Sequence, residues 1–506
     1  MIIGKHLIAG EWQRSQQTFR SDPYAGIGRE YAHGGVAEVN VAAEKAASAF
    51  EGFACTSAAV RSDLLKGIAA EIENDRNTII SHCSDETGLL KDRVSSEFSR
   101  TVNQLVYFGD VIKKNDYLDL RHDHALPDRS PIPRPDLRLC QRPVGPVAVF
   151  GASNFPLAFS SAGGDTAAAL AAGCPVIVKG HSAHPGTSDL VAQCIDRAIR
   201  KQRLDPAIFS QVQSNTFEAG QALVQHANIK AVGFTGSTVG GRALYNLCAA
   251  REEPIPFYGE LGSVNPVYIL PAILQSKSSE LAGNWISSLL VGAGQMCTNP
   301  GVLIVLKSDA AERLIEEVAQ QIKRVPQQVL LADSIAATYK EGQERFRDCP
   351  ETTVIHAASC SRRSVTPAVF QTTGTALLEH DFLREEVFGP FGVIVVASSV
   401  NEILTIARTL QAQLTCTIHM DESDRSIATQ LLKIVEHKAG RVIFNGFPTG
   451  VEVSDAMVHG GPYPASTNFG ATSVGSLSIR RFMRPVCYQN APPALLGQLV
   501  PGAYAG

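Results

Sequence analysis

One cysteine of this sequence stands in a setting suited to nucleophilic chemistry. Cys297 lies in the segment G-A-G-Q-M-C-T-N-P-G, residues 292–301, just after the apolar stretch 286–291. The glycines leave room for a ligand to approach the sulfur, and Pro300 stops a helix from continuing, so we expect a tightly held turn. A free cysteine is more often a buried structural residue. A nucleophile needs an orienting donor and a base from elsewhere in the chain.

Two polar residues are candidates for those partners. Glu260 stands between glycines in Y-G-E-L-G, residues 258–262, an apolar setting that suits a general base. Its alternative is an ion-paired carboxylate. Asn154 follows F-G-A-S, residues 150–153, and its amide could face a developing oxyanion. Its alternative is an ordinary turn asparagine.

A second group of residues favours phosphate binding. The segment G-F-T-G-S-T-V-G-G, residues 233–241, follows a predicted buried strand and opens a predicted helix. Free amides at a helix start attract phosphate, and glycines let it approach, although a plain tight turn has the same composition. Lys179 ends another predicted buried strand. There it could donate to ribose hydroxyls or attract a phosphate, whereas most lysines are simply solvated.

These candidates follow strands that alternate with helices, which predicts a parallel, doubly wound sheet. The predicted strands are residues 146–150, 175–179 and 229–234, and the predicted helices are residues 162–172, 188–201 and 217–227. Ligands bind beyond the carboxyl ends of such strands, where Asn154 and Lys179 stand. A second alternating region, with strands at 302–306, 392–396 and 416–418, contains Cys297.

The remaining segments predict smaller elements. A strand–turn–strand hairpin is predicted at residues 8–12 and helices at 36–51, 57–74 and 89–112. A Pro-rich segment, residues 127–135, lies between flanks 118–120 and 137–139 that alternate like exposed strands. Because exposed strands must be paired, we expect this excursion to meet another subunit. The tail from Ser478 predicts a further strand that could pair with it.

Bulk composition excludes several classes of function. The chain has 506 residues, 44% hydrophobic and 19% charged, with a formal net charge of −4. This balance argues against nucleic acid or an anionic membrane as the main partner. The N-terminus does not resemble a signal peptide, and no apolar run is long enough for a spanning helix. Eleven scattered cysteines without a C-x-x-C pair indicate reduced thiols in a cytoplasm, and neither a disulfide framework nor a cysteine zinc site.

Taken together and in this order, the motifs resemble the aldehyde dehydrogenase superfamily. The residues that carry the resemblance are Asn154, Lys179, F-T-G-S at 234–237, Glu260, Cys297 and E-V-F-G-P at 386–390. The resemblance covers nearly the whole chain. It implies an α/β fold with a Rossmann-like cofactor domain, an α/β catalytic domain and a small β oligomerisation element.

The resemblance also implies domain boundaries. Residues 1–117 and 143–265 would form the cofactor-binding domain, and residues 118–142 the oligomerisation excursion. Residues 266–447 would form the catalytic domain. The chain would then return to the cofactor domain over 448–477 and end in an oligomerisation tail over 478–506. A homodimer or homotetramer is expected.

The resemblance implies a role for each catalytic residue. Cys297 would add to an aldehyde, and its oxyanion would be held by the side chain of Asn154 and the backbone N–H of Cys297. Hydride transfer to a nicotinamide would leave a thioester, which water activated by Glu260 would hydrolyse. This reaction is expected to need no metal, and no metal ligands are expected in the active site.

The cofactor contacts are carried over in the same way. Lys179 and Glu386 resemble the ribose contacts, Gly236 and Ser237 the pyrophosphate turn, and Gly241 closes that turn. Phe388 is grouped with Glu386. NAD-preferring members usually have a glutamate where this chain has Ser182. Without that carboxylate a 2′-phosphate is not repelled, so NADP is the expected cofactor and NAD remains possible.

Within the superfamily the chain is most similar to dehydrogenases of 2-oxoglutarate semialdehyde (2,5-dioxopentanoate) and to an NADP-dependent bacterial fatty-aldehyde enzyme. The segments that carry this likeness are residues 178–188, 256–262, 445–451, 459–464 and 484–488. Another departure from many members is A-S-N at 152–154 where they have P-W-N.

The expected substrate pocket is aromatic. Phe155, Phe159 and Phe447 are expected to line it, which suits an alkyl chain. A keto-acid substrate would also need a cation, for which Arg100 is a candidate, although a solvated helix arginine would look the same. A medium- or long-chain aliphatic aldehyde dehydrogenase, a CoA-acylating relative and a catalytically silent homologue therefore remain as alternatives.

Overall fold

The computed structural model describes residues 1–358 and 360–499. The strands of this part of the chain are β1 His6–Ile8, β2 Glu11–Gln13, β3 Thr18–Arg20, β4 Glu30–Ala32, β5 Arg121–Asp123, β6 Leu137–Pro143, β7 Val147–Phe150, β8 Val176–Lys179, β9 Phe209–Val212, β10 Ala231–Thr235, β11 Phe257–Glu260, β12 Val267–Ile269, β13 Val302–Leu306, β14 Gln328–Val329, β15 Thr352–His356, β16 Ser364–Val365, β17 Ala368–Thr373, β18 Phe391–Ala397, β19 Gln413–His419, β20 Ala439–Phe444 and β21 Met483–Gln489.

The α-helices of the described residues are α1 Val36–Ala54, α2 Ala58–Asn74, α3 Arg76–Thr87, α4 Lys91–Lys113, α5 Gly164–Ala172, α6 Pro185–Lys201, α7 Glu218–Gln225, α8 Thr238–Ala249, α9 Pro271–Leu289, α10 Asp309–Ile322, α11 Asp333–Arg347, α12 Gly374–Glu379, α13 Val400–Thr409, α14 Arg425–Val435 and α15 Pro493–Leu499. Short 3-10 helices occur at Asp116–Leu118, Pro206–Ile208, Val291–Gly294, Asp381–Arg384, Glu422–Asp424 and Ser476–Phe482.

The chain divides into two compact units. The first contains residues 1–259, 453–456 and the chain from 473 onward, and the second contains 260–452 and 457–472. The sequence placed the first boundary at 265 and returned all of 448–477 to the first domain. The division differs from this prediction. Inside the second unit, the backbone N–H of Leu261 donates to the carbonyl of Ala465, which links the chain after residue 260 to the segment 457–472.

The first unit is built on a seven-stranded sheet in the order β11-β10-β7-β8-β9-β1-β2. Strands β10, β7, β8 and β9 run parallel, as the alternation of strands and helices predicted. The hairpin of β1 and β2 adds antiparallel strands at one edge, and its turn is formed by Ala9 and Gly10 with φ of 48° and 81°. The carboxyl ends of β7, β8 and β10 therefore lie at the same end of the sheet.

The second unit contains another seven-stranded sheet, in the order β15-β17-β18-β13-β12-β19-β20. All of its pairs are parallel except β15 with β17. Its central strands β12, β13 and β18 carry buried apolar side chains on both faces, and two hydrophobic clusters form there. A parallel sheet covered on both faces needs such continuous apolar strands.

A small antiparallel sheet of the first unit has the order β21-β6-β5. Strand β21 pairs with β6 over seven residue pairs, so the tail does meet the excursion. The tail strand begins at Met483 and not at Ser478, because Ser476–Phe482 forms a 3-10 helix. The excursion strand begins at Arg121 and not at residue 118, which lies in a 3-10 helix. The final part of the predicted tail, residues 500–506, lies outside the described residues.

No helix of the described residues is both long enough and apolar enough to span a bilayer. All eleven cysteines are free thiols.

Candidate active site

The predicted nucleophile follows a turn that only small residues can form. After α9 ends, Gly292, Ala293 and Gly294 have φ of 60°, 58° and 67°. A side chain on Gly294 would overlap the backbone carbonyl of Gly389. The left-handed backbone of residues 292–294 and the absence of a Cβ at Gly294 allow the segment before Cys297 to pack against the E-V-F-G-P motif, residues 386–390.

Side-chain amides fix the backbone on both sides of Cys297. Nδ2 of Asn265 donates to the carbonyls of Cys297 and Asn299, each at 2.9 Å. Nδ2 of Asn299 donates to the carbonyl of Gly389 at 3.2 Å, and Nε1 of Trp285 donates to that of Pro300 at 2.9 Å. The turn is therefore held by buried polar groups and does not depend on solvent.

A histidine that the sequence analysis did not select faces the thiol. Sγ of Cys297 lies 3.4 Å from Nε2 of His459, and the backbone N–H of His459 donates to Oγ1 of Thr472 at 2.8 Å. An imidazole at this distance can exchange a proton with the sulfur. In the sequence, residues 459–464 (H-G-G-P-Y-P) indicated only the subgroup. Because His459 lies 162 residues after Cys297, the sequence did not predict their contact.

Glu260 is the last residue of β11 and is buried, with 5% of its surface exposed. Its backbone forms an isolated bridge with Ser466. A Cβ placed on Gly460 would lie 3.3 Å from Oε1 of Glu260, so the carboxylate passes close to the residue that follows His459. Within the second unit, Cys297 and Glu260 thus both adjoin the segment 459–460.

A half-buried arginine of the same unit was not predicted from the sequence. Arg441, on β20, donates through Nη1 to the carbonyl of Gly450 at 3.0 Å and through Nη2 to that of Pro448 at 2.7 Å. Its Nε is buried without a hydrogen-bond partner. Burial lowers the pKa of Arg441, and the sulfur of Cys297 acts in the opposite direction. The nucleophile and a guanidinium group therefore influence each other electrostatically.

Glu386 and Phe388 line a narrow cavity of the second unit together with Ser263, Val264, Gly294 and Asn299. Both side chains are half-buried. Burial raises the pKa of Glu386 to about 8, opposed by a hydrogen bond from the backbone of Ser263. This carboxyl group borders the turn that leads to the nucleophile, and it can donate or accept a hydrogen bond near neutral pH.

In the first unit, Asn154 lies in the loop that follows β7 and is 7% exposed. Nη2 of Arg93 donates to the backbone carbonyl of Asn154 at 3.2 Å. Oε1 of Glu97 accepts from the backbone N–H groups of Leu157 and Ala158, both at 2.9 Å, and Arg93 pairs with Glu97 at 2.5 Å. This ion pair on α4 orders the loop. Its only sequence signal is an i,i+4 spacing, which is common on solvated helices.

The aromatic residues predicted for the pocket divide between the two units. Phe155 and Phe159 pack edge to face with ring centroids 5.4 Å apart. The guanidinium of Arg93 lies 4.6 Å from the Phe155 centroid, and that of Arg100 lies 5.6 Å from the Phe159 centroid. Phe447 belongs to the second unit, where it packs on His419 at 4.7 Å.

Lys179 ends β8 at the ligand edge of the first sheet. Burial lowers its pKa to about 8. Ser182, half-buried, lies three residues further on. His181 lies between Lys179 and Ser182 in the sequence, and its ring stacks on that of His184 with centroids 5.3 Å apart. Nε2 of His184 lies 2.8 Å from the carbonyl of Ala152. The loops after β7 and β8 are thereby joined.

The segment 233–241 has the predicted strand-to-helix geometry. The Ser237 hydroxyl caps α8 by accepting from the N–H of Gly240, and the N–H of buried Gly241 donates to the carbonyl of Ser237. A Cβ on Gly236 would lie 2.8 Å from the ring of Phe234. Oγ1 of Thr235 is buried without a partner. The solvent-exposed start of α8, an unused hydroxyl and the half-buried Lys179 lie at the same end of the sheet, and they fit the phosphates and ribose of a dinucleotide.

Comparison with known proteins identifies relatives over nearly the whole chain. The family model described as "Aldehyde dehydrogenase family" matches residues 19–484. Alpha-ketoglutaric semialdehyde dehydrogenase 2 of Azospirillum brasilense is 43% identical over 98% of this chain and 95% of its own. The alpha-ketoglutaric semialdehyde dehydrogenase of Acinetobacter baylyi is 41% identical over 97% and 95%.

The fold also matches solved structures. Betaine aldehyde dehydrogenase from Staphylococcus aureus, in complex with NAD+, superposes with a TM-score of 0.83 at 18% identity, over 97% of this chain and 95% of that one. At this identity the match supports the predicted α/β fold.

Proposed function

Because this chain belongs to the aldehyde dehydrogenase family, we propose that it oxidises 2,5-dioxopentanoate to 2-oxoglutarate. It is an oxidoreductase that acts on an aldehyde and uses NAD or NADP. The observation that carries the proposed chemistry is Cys297 on its fixed turn, 3.4 Å from His459, with buried Glu260 beside the same segment. This supports covalent catalysis at the sulfur with a separate base.

In the proposed reaction, Sγ of Cys297 forms a bond to the aldehyde carbon and gives up its proton to His459. The carbonyl π electrons move to oxygen, and the resemblance assigns Asn154 and the backbone N–H of Cys297 to that oxyanion. When bound, the nicotinamide cofactor supplies a two-electron acceptor for the hydrogen on that carbon. Cys297 then carries the acyl group as a thioester.

Glu260 completes the proposed turnover. Its carboxylate removes a proton from water, the resulting hydroxide adds to the thioester carbon, and the C–S bond breaks to release the carboxylic acid and the thiolate. A general base of this kind serves hydrolysis. An enzyme that transferred the acyl group to CoA would have no need of it, and an inactive homologue would not need to retain both Cys297 and Glu260.

The residues proposed to hold the dinucleotide are Lys179 and Ser182 at the end of β8, Gly236, Ser237 and Gly241 at the start of α8, and Glu386 with Phe388 in the second unit. We favour NADP over NAD because Ser182 stands where a glutamate would repel a 2′-phosphate. The charge of Lys179 three residues earlier adds attraction. Since burial lowers the pKa of Lys179 to about 8, a nearby phosphate would also stabilise its protonated form.

Two observations support the dioxo acid as substrate. The relatives at 43% and 41% identity carry the name of this semialdehyde. In the second unit, Arg441 is a half-buried cation in electrostatic range of Cys297, and it donates to the backbone carbonyls of Pro448 and Gly450. Partial burial disfavours the charged form of Arg441, an opposite charge nearby favours it, and the remote carboxylate of 2,5-dioxopentanoate would supply one.

A medium- or long-chain aliphatic aldehyde is the second candidate. The edge-to-face pair of Phe155 and Phe159 offers the apolar wall that an alkyl chain prefers. Arg93 and Arg100 cover faces of the same rings, however, and this reduces the apolar area of that wall.

Initial rates of reduced-cofactor formation test the proposal. The purified protein is assayed with 2,5-dioxopentanoate and with hexanal, each with NADP and with NAD, beside Cys297→Ala. Preference for the dioxo acid with NADP is the expected result. Preference for hexanal would transfer the function to aliphatic aldehydes, higher kcat/KM with NAD would overturn the cofactor preference, and activity retained by Cys297→Ala would overturn the mechanism.

We also propose a homodimer or homotetramer in the cytoplasm. The sheet of β21, β6 and β5 supports assembly, because its edge strand β5 is exposed along its whole length and exposed edges are commonly paired. Eleven free thiols suit a reducing compartment. Light scattering after size exclusion would measure the subunit number, and a monomer would overturn the assembly.

A further inference from the structure

Three metal-binding side chains meet on the small antiparallel sheet, outside the residues assigned to catalysis. His122 lies in β5 and His124 directly follows that strand, so their side chains point to the same face. In the register of β5 with β6, His122 pairs with Arg138 and Asp123 with Leu137. One further step in this register places Asp136 opposite His124.

The side chains are already close together. Nε2 of His122 lies 2.6 Å from Oδ2 of Asp136, and the rings of His122 and His124 have centroids 3.9 Å apart at an interplanar angle of 49°. One ligand atom from each of the three residues can be chosen so that all lie within 4.8 Å of one another. A His–Asp ion pair needs only one imidazole, whereas this cluster brings a second imidazole within the same radius of the carboxylate.

We propose that His122, His124 and Asp136 form a zinc-binding site. Zn²⁺ accepts imidazole nitrogen at about 2.0–2.1 Å and carboxylate oxygen at about 2.0–2.2 Å in a tetrahedral arrangement. The three ligand atoms lie within 4.8 Å of one another, so binding one ion at these distances would require only local rotation of the side chains. Water takes the fourth position. Imidazole and carboxylate ligands without thiolate suit Zn²⁺ better than a soft ion such as Cu⁺.

Neighbouring groups hold the ligands in place. Nε of Arg138 donates to Oδ1 of Asp136 at 3.1 Å, which leaves Oδ2 directed at His122. The guanidinium of Arg134 donates to the carbonyl of His124 at 3.0 and 2.9 Å. The N–H of Asp136 donates to Oδ1 of Asn490 at 3.1 Å, and the N–H of Asn490 donates back to its carbonyl at 2.9 Å.

Such supporting hydrogen bonds orient ligands and raise metal affinity. The charge of Arg138 opposes the metal, and the carboxylate of Asp136 offsets that charge. The bound ion would connect β5 to β6, and it would therefore stabilise the edge strand of the sheet and take no part in aldehyde oxidation.

Zinc titration of the full-length protein tests the site. Chelator-treated protein is titrated with ZnCl₂ in a calorimeter, and Co²⁺ is added separately to record the absorption spectrum of its ligands. Since free thiols also bind zinc, the result is read as a difference between variants. His437→Asn is the matched control, because His437 is an exposed histidine 3.8 Å from a single carboxylate, that of Glu436.

Wild type and His437→Asn are expected to bind one more equivalent of zinc than either His124→Gln or Asp136→Asn. The Co²⁺ difference spectrum should show ligand-field bands without thiolate charge transfer. Equal zinc stoichiometry in all four proteins would overturn the site, and so would a difference spectrum dominated by thiolate charge transfer. His124 is exposed, so its replacement leaves the fold intact.

Discussion

The sulfur of Cys297 and Nε2 of His459 lie 3.4 Å apart, although 162 residues of chain separate them. The histidine is buried and its backbone is fixed by Thr472. The two side chains are therefore placed by the fold of the second unit alone. Proton transfer between them needs no large movement.

Replacing His459 with asparagine is expected to slow alkylation of Cys297 near neutral pH. The thiolate is the reactive form, and removing the base that accepts its proton costs about 10²-fold. The second-order rate of iodoacetamide labelling, followed against pH, measures the effect. His437→Asn serves as an exposed-histidine control. A labelling profile identical to that of wild type would contradict this role.

Glu260→Gln should separate the two halves of the reaction. The first half does not need the water-activating base, so one equivalent of reduced cofactor per active site is expected as a burst. The steady-state rate after it should fall by about 10²–10⁴-fold. Rapid-mixing absorbance measures both phases. Loss of the burst together with the steady state would instead place Glu260 at the sulfur step.

Gly294→Ala should destabilise the protein more than a positive φ alone explains. The new Cβ would overlap the carbonyl of Gly389 in addition to the cost of left-handed backbone. The matched control is Gly450→Ala, which has φ of 94° and no atom within 4 Å of the new Cβ. We expect a loss of about 1–2 kcal/mol in the free energy of unfolding for the control and of more than about 3 kcal/mol for Gly294→Ala. Denaturant unfolding measures both. Equal losses would show that the close approach has no energetic consequence.

Glu386 predicts a pH dependence of stability. Its pKa is about 8 in the folded chain and 4.5 without the fold. Between these values the folded state keeps a proton that the unfolded state has released, so stability falls as pH rises from about 4.5 to 8. The amide introduced by Glu386→Gln cannot ionise, and the variant should gain stability relative to wild type over that window, on the order of 1–3 kcal/mol because the side chain keeps some solvent contact. Unfolding free energies at pH 5 and pH 8.5 measure the difference, and a constant difference would contradict it.

Arg441→Met tests the carboxylate partner. If Arg441 attracts the remote carboxylate, the variant should raise KM for 2,5-dioxopentanoate by about tenfold or more and change KM for hexanal little. Arg441 also fixes the carbonyls of Pro448 and Gly450, so a structural effect would raise both KM values together. Arg100→Met is the matched variant in the first unit. If this variant raises KM for 2,5-dioxopentanoate and leaves KM for hexanal unchanged, Arg100 and not Arg441 contacts the substrate carboxylate.

Local patterns predicted the elements that carry the site. The run of apolar residues at 302–306 became β13 with the predicted bounds, and Pro300, which stops a helix from continuing, indicated the turn at Cys297. The strand predicted from Ser478 starts five residues later, since the preceding residues pack as a 3-10 helix. Hydrophobic alternation alone does not distinguish the two.

The contacts that the sequence did not predict are those between distant segments. His459 and Arg441 reach the surroundings of Cys297 only through the packing of the second unit, and Arg93 with Glu97 orders the Asn154 loop from another helix. Likewise, His122, His124 and Asp136 form a cluster only once the register of β5 and β6 is known. One-dimensional spacing contains no information on such pairings.

The pairing of β6 with β21 has a consequence for synthesis of the chain. Position 483 follows position 143 by 340 residues, which at about 5–20 residues per second takes about 20–70 s to translate. During that time β6 can pair with β5 on one side, but its other side has no strand to bond with. The pair of β6 and β21 can therefore form only after most of the chain has left the ribosome. Until then, neighbouring nascent chains on one messenger RNA expose the same unpaired edge of β6 to one another.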